Sequence, residues 1–211
     1  MIIKAIPSGP FQTNAYIIAC ENSRLAVIID PSPDSFDAIV RFLKESNLSP
    51  DKIVLTHSHW DHFADAAKLK KHYNIPIYIH KEDEGNLKDP GSDQLPCWIA
   101  IERADPDCFL NEGDKISVGL LNFLVIHTPG HTPGGICLYN EENKILISGD
   151  TLFKGSIGNL SFPTAEQKRM WESLQKLEKL PKETVVYPGH GSKTTIGAES
   201  WLKNAEQIFG G

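Results

Sequence analysis

The chain has 211 residues, 40% of them hydrophobic and 23% charged, with a formal net charge of -6. This length suits one buried core, so residues 1–211 are predicted to form a single domain. The negative charge disfavours nucleic-acid binding, and no stretch approaches the roughly 20 apolar residues that span a bilayer. The start lacks a signal-peptide pattern, and the four cysteines form no CxxC pair. A cytoplasmic protein with reduced thiols is predicted, and its oligomeric state is left open.

Short β-branched runs bounded by turn residues predict strands over 2–6, 15–20, 25–30, 52–56, 75–79, 123–128, 136–139, 144–148 and 184–187. Apolar residues at helical spacing predict helices over 36–43, 61–73, 170–177 and 198–208. The first strands follow one another without helices between them. This order favours an α/β fold, a four-layer αββα sandwich of two mostly antiparallel sheets with outer helices. Residues 84–114 are the least patterned stretch, and so long a loop is typical of a functional segment or lid.

The stretch IVLTHSHWDH, residues 53–62, places His57, His59, Asp61 and His62 within six positions, directly after a predicted strand. His57 and His59 are two residues apart, so an extended backbone directs both to the same side. Asp61 and His62 follow where the next helix is predicted to begin. Imidazoles and a carboxylate this close gain little from one another unless a cation joins them. The stretch therefore predicts a metal site.

Three later strands end in the same manner, with an apolar run followed by glycine and then a potential ligand. These ligands are His131, Asp150 and His190. With the first four they make five histidines and two aspartates, which is too many for one tetrahedral zinc ion. The set suits two divalent ions that share a carboxylate and a bridging hydroxide. Zinc is the default ion for such ligands, and iron or manganese accept them too.

The motifs THSHWDH, GHTPGG, SGDTLF and PGHG, with GPFQTNAYII near the start, resemble the metallo-β-lactamase superfamily. The glyoxalase II-like hydrolases within it are the most similar branch, and the resemblance spans essentially the whole chain. It implies the αββα fold and two metal sites that share one aspartate, with Asp61 and Asp150 as catalytic residues. The first ion would be bound by His57, His59 and His131, the second by Asp61, His62 and His190, and both by Asp150.

The same resemblance separates the branches of the superfamily. Asp150 disfavours the true β-lactamases, which lack an aspartate at this place, and His59 disfavours the flavodiiron proteins, which carry glutamate there. Relatives that process transfer RNA usually add a basic arm, and none is visible. One departure from the family pattern is Asp65, where the family usually has glycine.

A second departure concerns the substrate. After the glycine that matches Gly158, glyoxalase II enzymes place Lys or Arg, and persulfide dioxygenases place Arg followed by Asp two residues later; this chain has Asn159 and Ser161. The C-terminal helical domain of full-length glyoxalase II, which helps bind glutathione, is also expected to be missing. Candidate substrate-binding residues are Asn159 and Trp98, and Trp98 either anchors its loop to the core or forms a lid.

Three functions remain open. The favoured one is a dinuclear metal-dependent hydrolase of a small thioester or ester, in which the bridging hydroxide attacks the carbonyl carbon. The second is a persulfide dioxygenase-like oxidoreductase with one iron bound by His57, His131 and Asp150, which the missing arginine disfavours. The third is a metal-bound module without catalysis, which the complete ligand set disfavours.

Overall fold

Two mixed sheets lie face to face in the computed structural model, which describes residues 1–210. The first sheet contains β1 (Ile2–Ser8), β2 (Thr13–Ala19), β3 (Leu25–Ile29), β4 (Ser49–Val54), β5 (Ile77–His80) and β6 (Cys108–Leu110), side by side in that order. The second contains β7 (Lys115–Val118), β8 (Leu121–His127), β9 (Ile136–Asn140), β10 (Ile145–Gly149), β11 (Val185–Pro188) and β12 (Thr194–Thr195), also in chain order.

The helices connect or cover these strands. They are α1 (Phe36–Glu45), α2 (Trp60–Phe63), α3 (Ala66–Tyr73), α4 (Glu84–Lys88), α5 (Gln167–Glu178) and α6 (Ala205–Phe209), with short 3-10 helices at Lys81–Asp83 and Ser200–Asn204. Among the residues that the structure describes, no helix is both long and apolar enough to cross a membrane.

Strand β2 shows why the apolar runs are continuous rather than alternating. Successive strand residues point to opposite faces of a sheet. Ala15, Ile17 and Ala19 pack on the side that carries α1, whereas Tyr16 and Ile18 pack between the two sheets. Both faces of the strand are therefore buried, and both must be apolar.

The helices cover the outer faces of the two sheets and complete the four layers. Ile39 and Leu43 of α1 are buried in the core outside the first sheet, and Leu174 and Leu177 of α5 are buried in the core outside the second. Full burial of such a side chain stabilises the fold by about 1.5–3 kcal/mol relative to exposure. The predicted αββα sandwich is confirmed.

The strand directions differ from the prediction in the first sheet. The second sheet is mostly antiparallel as predicted, with only β10 and β11 parallel among its described strands. In the first sheet, β3, β4, β5 and β6 pair in parallel. The cause is the helices inserted between these strands, because a crossover helix returns the chain to the edge at which the previous strand began.

The helix predicted over 61–73 is divided into α2 and α3. At the break, the buried Asp65 carboxylate accepts a hydrogen bond from the Phe36 amide at 2.8 Å, which ties it to the first turn of α1. Asp65 has a φ of -96°, a conformation open to any residue, so the glycine usual in the family is not needed here. The region predicted over 198–208 is likewise divided, into a 3-10 helix and α6.

Residues 84–114, predicted to be an unpatterned loop, contain two short elements. Helix α4 opens the segment and β6 lies near its end, at the edge of the first sheet. Both elements were missed because three to five residues are too few to show a hydrophobic period. The stretch between them is irregular and carries Trp98.

Candidate metal centre

The predicted ligands meet at one edge of the sandwich, where strands of both sheets end. His57 follows β4 by three residues, Asp150 directly follows β10, and His190 follows β11 by two residues. The loop between β8 and β9 supplies His131. Strand ends are held rigidly by the sheets, so residues far apart in sequence can meet with defined geometry.

The seven side chains form two groups of three with one aspartate beside both. His57, His59 and His131 form the first group, and Asp61, His62 and His190 the second; in each, the potential ligand atoms lie within 4.8 Å of one another. The Asp150 Oδ2 atom lies 3.5 Å from His131 Nε2 and 3.4 Å from His190 Nε2. Asp150 therefore stands between a residue of each group, as the predicted bridging role requires.

Hydrogen bonds fix which nitrogen several of these histidines present to the centre. His131 Nδ1 lies 2.9 Å from the Asn159 carbonyl oxygen, and His190 Nδ1 lies 3.2 Å from the Phe11 carbonyl oxygen. A carbonyl oxygen only accepts, so both Nδ1 atoms carry the proton and donate. Nε2, the atom that faces Asp150, is then the nitrogen of each ring that is left to bind a metal ion.

Asp30 is a contributor that the sequence analysis missed. This buried residue directly follows β3, and its Oδ2 atom lies 3.0 Å from His62 Nδ1. The same carboxylate accepts hydrogen bonds from the Thr56 amide at 2.7 Å and the Thr56 hydroxyl at 2.6 Å. Asp30 therefore orients His62 and the backbone just before His57. An aspartate closing an entirely apolar strand was the available signal.

Asp83 is a second contributor that was missed. Its Oδ2 atom accepts a hydrogen bond from the Ser58 amide at 2.9 Å, and its Oδ1 atom accepts one from the Gly134 amide at 2.6 Å. One buried carboxylate thus joins the loop of His57 and His59 to the loop of His131. Burial raises the pKa of Asp83 to about 6, although these donors lower it.

The start of β2 ties the two sheets together beside the ligands. The Thr13 hydroxyl donates to Asp61 Oδ2 at 2.6 Å. The Asn14 side chain donates to the carbonyl oxygens of Pro188 and Gly191, both at 3.0 Å, on either side of His190. Thr13 and Asn14, which belong to the GPFQTNAYII motif, therefore position Asp61 and His190 of the second group.

Two glycines let the ligands approach one another. A Cβ atom at Gly189 would lie 2.1 Å from Asp150 Oδ1 and 2.7 Å from the His62 ring. At Gly158 a Cβ atom would lie 2.1 Å from the Asp150 carbonyl oxygen and 2.8 Å from the His131 ring. Any side chain at these positions would push the ligands apart.

The two groups differ in their proton affinity. Burial and neighbouring imidazoles hold the pKa of His57 well below its usual value and lower that of His59 to about 3. In the second group burial also lowers the pKa of His190, but the Asp150 and Asp61 carboxylates outweigh it and raise this pKa to about 9. Burial raises the pKa of Asp61, whereas His62 and His190 lower it to about 2. The histidines of the first group are ready as neutral ligands, while the second group attracts positive charge.

The cluster fits divalent metal ions. Within residues 1–210, His57 Nε2, His59 Nε2 and Asp150 Oδ1 are buried and have no hydrogen-bond partner. Leaving several such groups unpaired costs about 1–3 kcal/mol each, which metal coordination would remove. Imidazole and carboxylate are also the ligand types that zinc, iron and manganese accept.

The other candidate residues lie outside the cluster. Asn159 is exposed and lines the pocket above the ligands, and its Oδ1 atom accepts a hydrogen bond from the Ser161 amide at 2.8 Å. Trp98 is 62% exposed, which does not suit an anchor to the core, and it lines the same pocket. His72 is exposed on α3, away from the cluster.

One more group of potential ligands, His80, Glu82 and His127, lies apart from the seven. The two imidazole rings stack at 4.0 Å with only 17° between their planes. Such rings direct their lone pairs side by side rather than at one point. Arg169 also lies 3.4 Å from the Glu82 carboxylate and offsets its charge, so this group is poorly suited to a cation.

An αββα sandwich with a histidine and aspartate cluster at one edge of its sheets has the features of a metal-dependent hydrolase. The chain belongs to the metallo-beta-lactamase superfamily, whose family model matches residues 8–190. The resemblance inferred from the motifs is therefore confirmed.

Relatives of similar length support the same class. The chain is 34% identical over 199 residues to the "Probable metallo-hydrolase YqgX" of Bacillus subtilis, with 93% of each chain covered. It is 34% identical over 203 residues to the "Hydroxyacylglutathione hydrolase GloC" of Haemophilus influenzae, covering 94% of this chain and 95% of the relative.

Solved structures match the fold closely. BLEG-1, described as a B3 metallo-beta-lactamase, is 36% identical with a TM-score of 0.88, covering 99% of this chain and 100% of that one. TTHA1623 in a di-iron-bound form is 36% identical with a TM-score of 0.83, covering 93% and 96%. ETHE1 from Myxococcus xanthus is 26% identical with a TM-score of 0.80, covering 94% and 81%. One of these structures is described as a β-lactamase, so similarity of fold does not argue against β-lactam hydrolysis. The argument against that activity rests on Asp150 alone.

Proposed function

We propose that the protein is a dinuclear metal-dependent hydrolase that cleaves a small thioester or ester. The observation that carries this proposal is the position of Asp150 between two three-ligand groups. Two divalent ions bound there would lower the pKa of water to near 7 and polarise a carbonyl oxygen. The hydroxyacylglutathione hydrolase among the relatives supports thioester cleavage as the reaction.

The residues of the chain have distinct tasks in this proposal. His57, His59 and His131 offer the first ion neutral donors, because burial keeps them unprotonated. Asp61 and Asp150 bring the negative charge that the second group needs. Thr13 fixes the Asp61 carboxylate and Asp30 fixes the His62 ring, so the ligands do not have to reorganise when metal binds or during reaction.

Metal analysis and activity assays test the proposal together. Protein purified without chelators should contain two metal ions per chain, and zinc is the expected ion, with iron or manganese as the alternatives. Protein reconstituted separately with Zn²⁺, Fe²⁺ and Mn²⁺ is then assayed on a panel of thioesters and esters. Two bound metal ions with release of thiol would support the proposal. Bound metal without turnover of any substrate would instead support the alternative, a metal-bound module without catalysis.

Two other activities belong in the same panel. A persulfide dioxygenase-like reaction, with one iron and sulfite as product, is disfavoured because Asn159 replaces the expected arginine. Hydrolysis of a β-lactam is included because of the similarity to BLEG-1. Faster turnover of a persulfide or a β-lactam than of every thioester would overturn the proposal.

The setting of the enzyme is part of the proposal. The partner is a small (thio)ester, with neither nucleic acid nor membrane involved, and the compartment is the cytoplasm. The cysteines support a reducing compartment, since Cys20, Cys97, Cys108 and Cys137 are all free thiols.

A further inference from the structure

A cavity of about 590 Å³ opens directly above the metal ligands. His59, Asp61, His131, Asp150 and His190 form its floor. This volume lies within the range of small-molecule binding sites, which is about 300–1,000 Å³. The walls of the cavity therefore decide which substrates reach the metal centre.

Three aromatic rings from separate parts of the chain form one wall. The centroids of Phe11 and Trp60 are 5.3 Å apart, those of Phe11 and Trp98 5.7 Å, and those of Trp60 and Trp98 5.3 Å. We call these residues the aromatic wall. Phe11 is 49% and Trp98 62% exposed. Clustered exposed rings are typical of a binding surface, because water solvates them poorly.

The aromatic wall is fixed to the metal centre. The carbonyl oxygen of Phe11 accepts the hydrogen bond from His190 Nδ1, and Trp60 follows the ligand His59 directly in the chain. A group that contacts this wall therefore keeps a defined distance from the reacting centre.

Two further aromatic side chains line the cavity beside the ligands. The Phe162 ring lies 5.4 Å from the His59 ring and 5.7 Å from the His131 ring, beside the first ligand group. The Phe153 ring lies 5.9 Å from the His190 ring, beside the second group. Apolar surface thus adjoins both places at which the two halves of a thioester would lie.

The walls carry no positive charge. No Lys or Arg occurs among the residues lining the cavity in the described part of the chain, and apart from the ligands its polar side chains are those of Ser156 and Asn159. The Asn159 Oδ1 atom accepts a hydrogen bond from the Ser161 amide, and its Nδ2 group can offer a carboxylate only an uncharged donor. Glutathione has two carboxylates, and these walls offer neither of them a cationic partner.

We infer that the preferred substrate is a neutral thioester with an apolar acyl group, a medium alkyl chain or an aryl ring, which lies against the aromatic wall. This inference rests on the proposed hydrolase function and narrows its substrate. It separates the protein from the hydroxyacylglutathione hydrolase among its relatives, whose name specifies an anionic thiol carrier and a polar acyl group.

Two series of thioesters test the inference on the metal-loaded full chain. Acetyl, butyryl, hexanoyl and benzoyl groups are each attached to N-acetylcysteamine, which is neutral, and to glutathione. The specificity constant should rise about threefold to fourfold with each methylene, as burial of a CH₂ group gives. For the same acyl group, the specificity constant should be roughly tenfold higher for the N-acetylcysteamine thioester than for the glutathione thioester. The reason is that a glutathione carboxylate finds no cation for a charge-assisted hydrogen bond in the cavity. A specificity constant that does not rise with acyl length, or that is higher for glutathione thioesters, would overturn the inference.

A variant of the aromatic wall locates the effect. Trp98→Ala should lower the specificity constant more for the hexanoyl than for the acetyl substrate, and so flatten the acyl series, since a short acyl group does not reach the ring. The matched control is Leu120→Ala, which removes a 68% exposed apolar side chain outside the cavity and should retain the wild-type series. An unchanged series in Trp98→Ala would contradict the assignment of the wall.

A binding measurement separates failure of the inference from failure of the hydrolase proposal. Absence of hydrolysis across all thioesters and esters would refute the proposed function only. In that case calorimetry on zinc-loaded protein compares the hexyl thioether of N-acetylcysteamine with S-hexylglutathione, neither of which can be hydrolysed as a thioester. Tighter binding of the neutral thioether, lost in Trp98→Ala, supports the cavity assignment. Equal binding, or tighter binding of S-hexylglutathione, overturns it.

Discussion

The seven clustered ligands and the aromatic wall are neighbours at one edge of the sandwich, yet different forces hold them. The ligands are buried except for His190. Their positions are set by the hydrogen bond that Thr13 donates to Asp61, and by the Asp30 and Asp83 carboxylates, which accept hydrogen bonds from the His62 ring and from the Ser58 amide. In the wall, Trp60 is buried and donates a hydrogen bond to the Pro96 carbonyl oxygen, whereas Phe11 and Trp98 are exposed and contact Trp60 and one another. Reaction chemistry and substrate choice are thus placed on separate parts of the site. Changes in the ligands should affect every substrate, while changes in the wall should affect only some.

The largest effect is expected at Asp150. An amide between two divalent ions removes one negative charge from both sites, so Asp150→Asn should reduce metal content below one ion per chain or hydrolysis by at least about a thousandfold, equivalent to about 4 kcal/mol. Metal analysis and kcat for a short and a long thioester are the measurements. Asp37→Asn, at an exposed aspartate of α1, should behave as wild type. Two retained ions with normal turnover would count against the bridging role.

Single ligand histidines should show the next largest effect. His57→Ala, His131→Ala and His190→Ala each remove a donor from the cluster and should lower hydrolysis about a hundredfold or more for every substrate. His72→Ala, on the exposed side of α3, should leave the rate unchanged. If a ligand substitution lowered the rate only for long acyl substrates, the two regions would not have the separate roles assigned to them.

Asp83 tests whether hydrogen bonds behind the ligands set their positions. Asp83→Asn leaves one of the two amide donors of Ser58 and Gly134 without an acceptor, so the ligand loops should loosen. Metal affinity, measured by competition with a chelator, should fall about 10–100-fold, while the order of preference among substrates stays the same. Asp89→Asn, at an exposed position, is the control. Unchanged affinity in a folded Asp83→Asn protein would show that the carboxylate does not position the ligands.

Asn159→Arg should change substrate choice without changing the chemistry. Arginine at this exposed position on the cavity rim offers a bidentate partner for a carboxylate. The specificity constant for glutathione thioesters should rise about tenfold, equivalent to about 1.4 kcal/mol, and high salt should reduce the gain. Equal gains for N-acetylcysteamine thioesters would mean that no substrate carboxylate is held there.

The smallest effect concerns stability at the wall. Because Trp98 is 62% exposed, Trp98→Ala should shift the melting temperature by no more than about 2 °C while raising the Michaelis constant for hexanoyl thioesters. A large fall in melting temperature would instead make Trp98 the anchor of its loop. Calorimetry of the metal-loaded protein distinguishes the two results.

The sequence predicted the ligand cluster far better than the parts around it. Ligand chemistry limits the residue types, so His57, His59 and His131 could be recognised from their spacing after strands. The contributions of Asp30 and Asp83 were not predicted, because their partners are amides and rings distant in the chain. Asp30 could have been noticed because it closes an apolar strand, whereas nothing in the local sequence distinguishes Asp83 from a solvent-exposed aspartate.

The aromatic wall and the strand directions also could not be predicted from the sequence, because both depend on tertiary packing. Phe11, Trp60 and Trp98 come from three segments whose approach depends on the whole fold. Trp98 could be named as a candidate substrate-binding residue only because a tryptophan is unusual in a polar loop. The mixed first sheet was missed because apolar runs identify buried strands without indicating their relative direction. Helix α2 was included in a longer predicted helix, and α4 is too short to show a hydrophobic period.

The division of ligands between the two sheets couples metal binding to folding. The first half of the chain supplies His57, His59, Asp61 and His62, and the second half supplies the other three. Neither half alone can complete either three-ligand group with Asp150, so high-affinity binding requires the assembled native state. A metal ion bound by this cluster would be a ligand of the native state only, and its concentration would add to the free energy of unfolding through mass action. If the proposed ions bind, the apparent stability of this protein would depend on its metal supply as well as on its sequence.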